Sequence, residues 1–114
     1  MHELGIVRHV VNQVEKAAED NNVGRVIKLT LEVGEVSSVV PDYFRDCFEW
    51  YKKKTKYMRD TQLELIILEG ISYCTQCRKT YKTVEYGKNC PYCGSGETYL
   101  VTGNQMTIKD MLVE

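Results

Sequence analysis

The sequence has no run of eighteen or more consecutive apolar residues, so no transmembrane helix is expected. Excess charge of either sign is also missing. Fifteen Lys and Arg against sixteen Asp and Glu leave a net charge of −1, and with a sequence pI near 6.1 this argues against a general binder of polyanions. Met1-His2-Glu3 has neither the basic nor the apolar character of a secretory signal, which makes the cytoplasm the expected compartment. A nucleophile elbow, a phosphate-binding glycine loop and an HExxH pair are all absent, so an enzyme reading has no residues to stand on. Internal repeats and low-complexity segments are absent too, apart from one doubled cysteine motif.

That motif organises the chain. Cys74-Thr75-Gln76-Cys77 and Cys90-Pro91-Tyr92-Cys93 are separated by twelve residues, and Gly94 follows the second pair. Two CxxC pairs on tight turns can bring four thiolates to one tetrahedral Zn²⁺ with Zn–S bonds of about 2.3 Å. Gly94 suits a backbone that must turn around a metal at positive φ. The run Tyr81 to Gly87 is β-prone and predicts a small hairpin of a zinc ribbon. Disulfides would need an oxidising compartment, and a thioredoxin-like site explains only one of the pairs. A rubredoxin-like iron site would use the same ligands and is distinguished by its visible spectrum. A closed Cys₄ zinc site leaves no open coordination position, so the reading is structural zinc, and the function must be sought elsewhere.

Forty-three per cent hydrophobic and 27% charged residues in a 114-residue chain fit one modest core plus a metal-held segment. Apolar residues at Leu4, Val7, Val11, Val14 and Ala18, widened by Ile6, Val10 and Ala17, predict a core-facing helix to about Asn21, stopped by Asn21, Asn22 and Gly24. Val26 to Val33 alternates Ile27, Leu29, Leu31 and Val33 against Lys28, Thr30 and Glu32, a half-buried strand closed by Gly34. Pro41 opens a second helix with Phe44, Cys47, Phe48 and Tyr51 as its apolar stripe. Leu63, Leu65 and Ile67 are the expected inward side of the next strand, Tyr99 to Thr102 is β-prone, and the last strand, Gln105 to Val113, turns Met106, Ile108 and Leu112 inward. The expected fold is α+β, a small three-stranded mixed sheet with two helices plus an inserted Cys₄ zinc ribbon. Residues 1–69 and 98–114 would form the α/β domain and residues 70–97 the zinc domain.

Two histidines and a fifth cysteine remain. Cys47 on the apolar face of the second helix reads as a buried free thiol, and His9 as a surface or partly buried side chain. His2 is different because it follows Met1, whose α-amine can be a ligand. That amine, the His2 amide nitrogen and its imidazole Nδ1 would form fused five- and six-membered chelate rings around one metal. A planar, nitrogen-rich set suits Ni²⁺ or Cu²⁺, with Glu3 or a ligand from elsewhere in the fourth place. Against this stands the ordinary reading of a histidine at a chain terminus.

Met1-His2-Glu3 opening an amphipathic helix, Val33-Gly34-Glu35 closing the first strand, the paired CxxC segment, and Thr102-Gly103-Asn104 before the Ile108-containing strand together resemble the HypA/HybF family of hydrogenase maturation nickel metallochaperones. The resemblance spans the whole chain. It implies that the Met1 amine, His2 and Glu3 bind transferable nickel while Cys74, Cys77, Cys90 and Cys93 hold structural zinc. It also implies delivery of Ni²⁺ to the large subunit of NiFe-hydrogenase with a HypB-type GTPase, and in some organisms service to urease and its accessory proteins. The expected protein is a monomer or weak homodimer, and from charge and hydropathy it is expected to bind neither nucleic acid nor membrane. Histidines beside the zinc cysteines, present in certain relatives, are missing here, and Asp42 is the nearest match to an acidic candidate nickel neighbour.

Two other functions compete. Tyr81, Tyr86 and Tyr92 interleaved with Arg78, Lys79, Lys82 and Lys88 suit a nucleic-acid-binding ribbon, although four basic residues offer few phosphate contacts. An iron electron carrier at the four cysteines is the third class.

Overall fold

The computed structural model of the chain describes residues 3–114, which form two compact units. The first comprises the residues up to Leu31, Val39–Leu65 and Ile108–Glu114; the second comprises Glu32–Ser38 and Ile66–Thr107.

In the first unit, helix α1 (Glu3–Asp20) buries Val7, Val10, Val11, Val14 and Ala18, spaced to form one stripe at helical period. It ends where Asn22 takes φ 54°. That turn lets the Val23 N–H reach the Ala18 carbonyl at 2.9 Å and the Asn22 N–H reach Glu19 at 3.2 Å, satisfying carbonyls that the helix would otherwise orphan. Strand β1 (Val26–Gly34) follows, with Leu29 and Leu31 fully buried. Helix α2 (Pro41–Tyr51) starts with proline in its first turn and inserts Phe44 and Phe48 completely, a contribution of about 1.5–3 kcal/mol for each ring. A 3₁₀ turn, Lys52–Lys54, continues it. The α1 carboxylate of Glu15 then accepts the backbone N–H groups of Lys56 (2.8 Å) and Tyr57 (2.9 Å). Met58 and Thr61 are fully buried, and the Thr61 hydroxyl donates to the Val26 carbonyl at 2.6 Å.

Strands β1, β2 (Gln62–Leu68) and β6 (Met106–Val113) form a sheet in the order β2-β1-β6. The inward alternation expected for the outer strands fails in part. Leu63 is buried and Leu65 half-buried, but Ile67 is 49% exposed; on β6, Met106 is half-buried while Ile108 and Leu112 are 38% and 56% exposed. Both are edge strands with a neighbour on one flank only, so periodicity overstated their burial.

The second unit carries a separate three-stranded sheet, ordered β4-β3-β5, built from β3 (Ile71–Cys74), β4 (Thr80–Lys82) and β5 (Thr98–Thr102). Both pairings are antiparallel, so the β-prone run at Tyr99 to Thr102 joins the cysteine-bearing segment, Cys74 standing opposite Thr98. The hairpin expected over Tyr81 to Gly87 is only half strand. After Lys82 the chain makes one helical turn, α3 (Thr83–Tyr86), because the Gly87 N–H returns to the Thr83 carbonyl at 2.7 Å, with Gly87 at φ 62°. The Ser72 and Thr83 hydroxyls, 2.6 Å apart, fix where that turn begins.

Two glycines let three backbone segments of this unit touch. A Cβ on Gly34 would overlap the Gly103 carbonyl, and one on Gly103 would overlap the Gly70 backbone. Around them the Val36 N–H donates to Gly103 O (2.8 Å), the Gly34 N–H to Gln105 O (2.7 Å) and the Glu35 N–H to Leu68 O (2.7 Å). The Glu35 carboxylate in turn accepts the Gly70 N–H at 2.9 Å.

Candidate metal centre

The four cysteines of the doubled motif converge in the second unit. Their Sγ atoms all lie within 4.8 Å of one another, with Cys74 to Cys93 and Cys77 to Cys90 each at 3.5 Å. A regular tetrahedron with Zn–S bonds of about 2.3 Å has S···S edges of about 3.8 Å, close to these separations, so the cluster fits one zinc ion. Cys74 and Cys90 are buried, Cys77 is half-buried and packs against them with Tyr81, and Cys93 is exposed. The Tyr81 hydroxyl donates to the Gly87 carbonyl at 2.8 Å, which fixes the apolar wall of the site.

The two CxxC segments fold into the same knuckle. In the first, the Arg78 N–H returns to Cys74 O at 2.9 Å and the Cys74 N–H donates to Lys79 O at 2.9 Å. In the second, the Gly94 N–H returns to Cys90 O at 2.8 Å and the Cys90 N–H donates to Ser95 O at 3.0 Å. The residue after the second cysteine takes positive φ in both, 62° at Arg78 and 76° at Gly94. Only Gly94 announced this in the sequence; Arg78 occupies the equivalent place with a side chain. Since a left-handed non-glycine residue costs about 1–2 kcal/mol, Arg78→Gly should raise the unfolding free energy by about 1 kcal/mol at unchanged zinc content, measured by denaturant titration beside metal analysis.

The thiols are unequal acids. Burial opposes ionisation of Cys90, but the backbone N–H groups of Tyr92 and Cys93 and the neighbouring thiols outweigh it and bring Cys90 down to about 7. Cys77 is pushed up to about 12, by burial first and then by Cys90. Four such groups cannot all hold negative charge against one another without a cation among them, which is the chemistry that a bound dication supplies. A closed set of four soft thiolates fits a structural zinc ion and leaves no open position.

The proposed nickel residues Met1 and His2 lie outside the described residues. Glu3, the first described residue, is 4% exposed, and its Oε2 accepts the backbone N–H of Val40 at 3.3 Å, immediately before α2. Burial of this carboxylate had no sequence signal, because it sits one residue before the apolar stripe. Asp42 and His9 are exposed, and Cys47, expected to be buried, is half-buried. Among the described residues the four cysteines are the only group of three or more His, Cys, Asp or Glu able to hold a metal ion. No described helix is long and apolar enough to cross a membrane.

Comparison with known proteins extends this picture over the whole chain. Residues 1–113 match the family described as hydrogenase/urease nickel incorporation, metallochaperone, hypA. Curated relatives include a hydrogenase maturation factor HypA from Geobacter metallireducens, 35% identical over 114 residues, and one from Actinobacillus succinogenes, 32% identical, each covered completely on both sides. The fold is similar to the solution structure of the Ni metallochaperone HypA from Helicobacter pylori, with TM-score 0.72 and 21% identity over 99% of this chain and 97% of that one.

Proposed function

The chain belongs to the HypA family of nickel-incorporation metallochaperones for hydrogenase and urease, and on that premise we propose that it carries Ni²⁺ at its N-terminus to the large subunit of NiFe-hydrogenase. A metallochaperone holds and passes on a metal without turning over a substrate, so the protein is not an enzyme. Its own metal is the structural zinc of Cys74, Cys77, Cys90 and Cys93, and nickel is its cargo.

The observation that carries the reading is the match of residues 1–113 to this family in a chain whose four thiolates already form a closed set. Cargo that must be released needs a different place and fewer protein ligands. The Met1 amine, the His2 amide and imidazole nitrogens and the Glu3 carboxylate are the residues we assign to it, and their hard and borderline donors suit Ni²⁺. Using Glu3 would require its carboxylate to serve the metal as well as the Val40 N–H. We further propose a HypB-type GTPase as the delivery partner, urease and its accessory proteins as a further destination, and the cytoplasm as the compartment. Nickel binding is assigned to the portion that begins with α1 and zinc binding to residues 70–97.

Calorimetric titration of three proteins tests the site. Adding one residue before Met1 moves the amine and breaks the first chelate ring while the His2 side chain stays, and His2→Ala removes the imidazole. Each change should weaken Ni²⁺ binding tenfold or more, about 1.4 kcal/mol per decade, with zinc content unchanged. Affinity should fall below about pH 6.5, because protons then compete for the imidazole and the amine. Equal affinity in the native and extended proteins removes the amine from the site; equal affinity in all three removes the N-terminus.

A further inference from the structure

We propose that the groove between α1 and α2 is a docking surface for an acidic segment of a partner protein that inserts an apolar side chain. The argument does not depend on where nickel binds. Leu4, Gly5 and Arg8 of α1, Trp50 and Tyr51 at the end of α2, and Lys54 of the 3₁₀ turn that follows it line a hollow of about 430 Å³. Its floor is apolar and open: Leu4 is 45% exposed and Trp50, the only tryptophan of the chain, 55% exposed. Leu4 was expected in the core stripe of α1, and its exposure here is the departure that makes the floor.

The rim carries one sign of charge. Among the described residues neither Arg8 nor Lys54 has a carboxylate in ion-pair range, whereas Lys52, in the same run as Lys54, is paired with Glu49 at 2.9 Å. The Lys54 ammonium instead lies over the Trp50 ring, 4.4 Å from its centroid. That position leaves its other hydrogens available to an incoming acceptor. An exposed tryptophan and leucine flanked by an arginine and a lysine without carboxylate partners is the composition of an interface anchor. Charge complementarity asks for carboxylates on the partner facing Arg8 and Lys54, with an apolar side chain between them over Leu4 and Trp50. A concave site with so few cations fits a protein segment better than a flat anionic membrane or a polyphosphate chain.

The probe is a fluorescein-labelled amphipathic helical peptide of fourteen residues, Leu on one face and Glu on the other, titrated into the intact zinc protein by anisotropy and by Trp50 emission. Saturable binding with a blue shift of Trp50 is expected, together with at least tenfold weakening in Arg8→Glu and in Lys54→Glu and weakening as salt rises. A peptide with Leu replaced by Ser should lose the blue shift. Far-ultraviolet dichroism and zinc content of the variants should match the parent, since both side chains are exposed. The proposal is overturned if the acidic peptide does not bind saturably, if it binds the two charge-reversed variants as well as the parent, or if vesicles of phosphatidylserine bind this face while the peptide does not.

Discussion

Cys90→Ser should lower zinc from one ion per chain to a small fraction of that and unfold the second compact unit. Cys90 is tightly held: it is buried, its sulfur lies 3.5 Å from that of Cys77, and it accepts the Tyr92 N–H at 3.4 Å. Its backbone also closes the second knuckle through the Ser95 and Gly94 bonds. Around it the unit has little else to hold it, since the buried cluster of the site consists of Cys74, Tyr81 and Cys90 with Cys77 against them. Structural zinc sites of this kind contribute about 10 kcal/mol or more to folding, far beyond what so small a cluster supplies. Elemental analysis together with backbone amide exchange across β3, β4 and β5 measures both effects. Cys47→Ser is the control: half-buried and on α2, it should keep its zinc and lose about 1 kcal/mol or less. Zinc retained in Cys90→Ser with β3 to β5 still protected would refute the four-thiolate site. Lowering the pH of the parent should release the metal as well, because protons compete for the same thiolates.

Gly103→Ala is expected to be the next most damaging change, though it turns one hydrogen into a methyl group. Gly103 has φ 113°, a region that side chains avoid, and its missing Cβ is where Gly70 passes. The added carbon would collide with backbone, so relief requires separating the segments whose bonds meet there: Val36 to Gly103, Gly34 to Gln105 and Glu35 to Leu68. Backbone strain of about 1–3 kcal/mol and the loss of two or three hydrogen bonds at about 1 kcal/mol each add to roughly 4 kcal/mol, a large share of the stability of a small protein. Thermal unfolding should show it directly. Gly5→Ala, with nothing within 4 Å of the new carbon and a helical site, should be neutral or stabilising and calibrates the comparison. A Gly103→Ala protein melting within a degree or two of the parent would show that the three segments can move apart freely.

The helices and β1 were legible because their pattern is written at one residue scale. Val7, Val11 and Val14 recur at helical spacing, Leu29, Leu31 and Val33 at strand spacing, and each is buried as that spacing requires. The zinc centre was legible for a related reason, since ligand identity and spacing in CxxC fix the knuckle geometry before any tertiary contact forms. What escaped depends on partners far away in sequence. Ile108 and Leu112 alternate as a buried strand would but lie on an edge, and pattern cannot say which strands have two neighbours. Thr61 and Glu3 are polar and buried because their oxygens meet the Val26 carbonyl and the Val40 N–H, matches visible only once the chain is folded. Val84 to Tyr86 were β-prone yet close a helical turn, because the Ser72 hydroxyl and Gly87 decide the matter locally.

The meeting of Gly34, Gly70 and Gly103 also limits how this sequence can change. When a core side chain grows, a neighbour can shrink, and second-site suppressors of such changes are common in packed interiors. Here the atoms in the way are a carbonyl and an α-carbon, common to all twenty residue types. No substitution at a neighbouring position makes them smaller. Gly34 and Gly103 therefore have no compensating partners, and a lineage that lost either glycine could recover the fold only by reverting it.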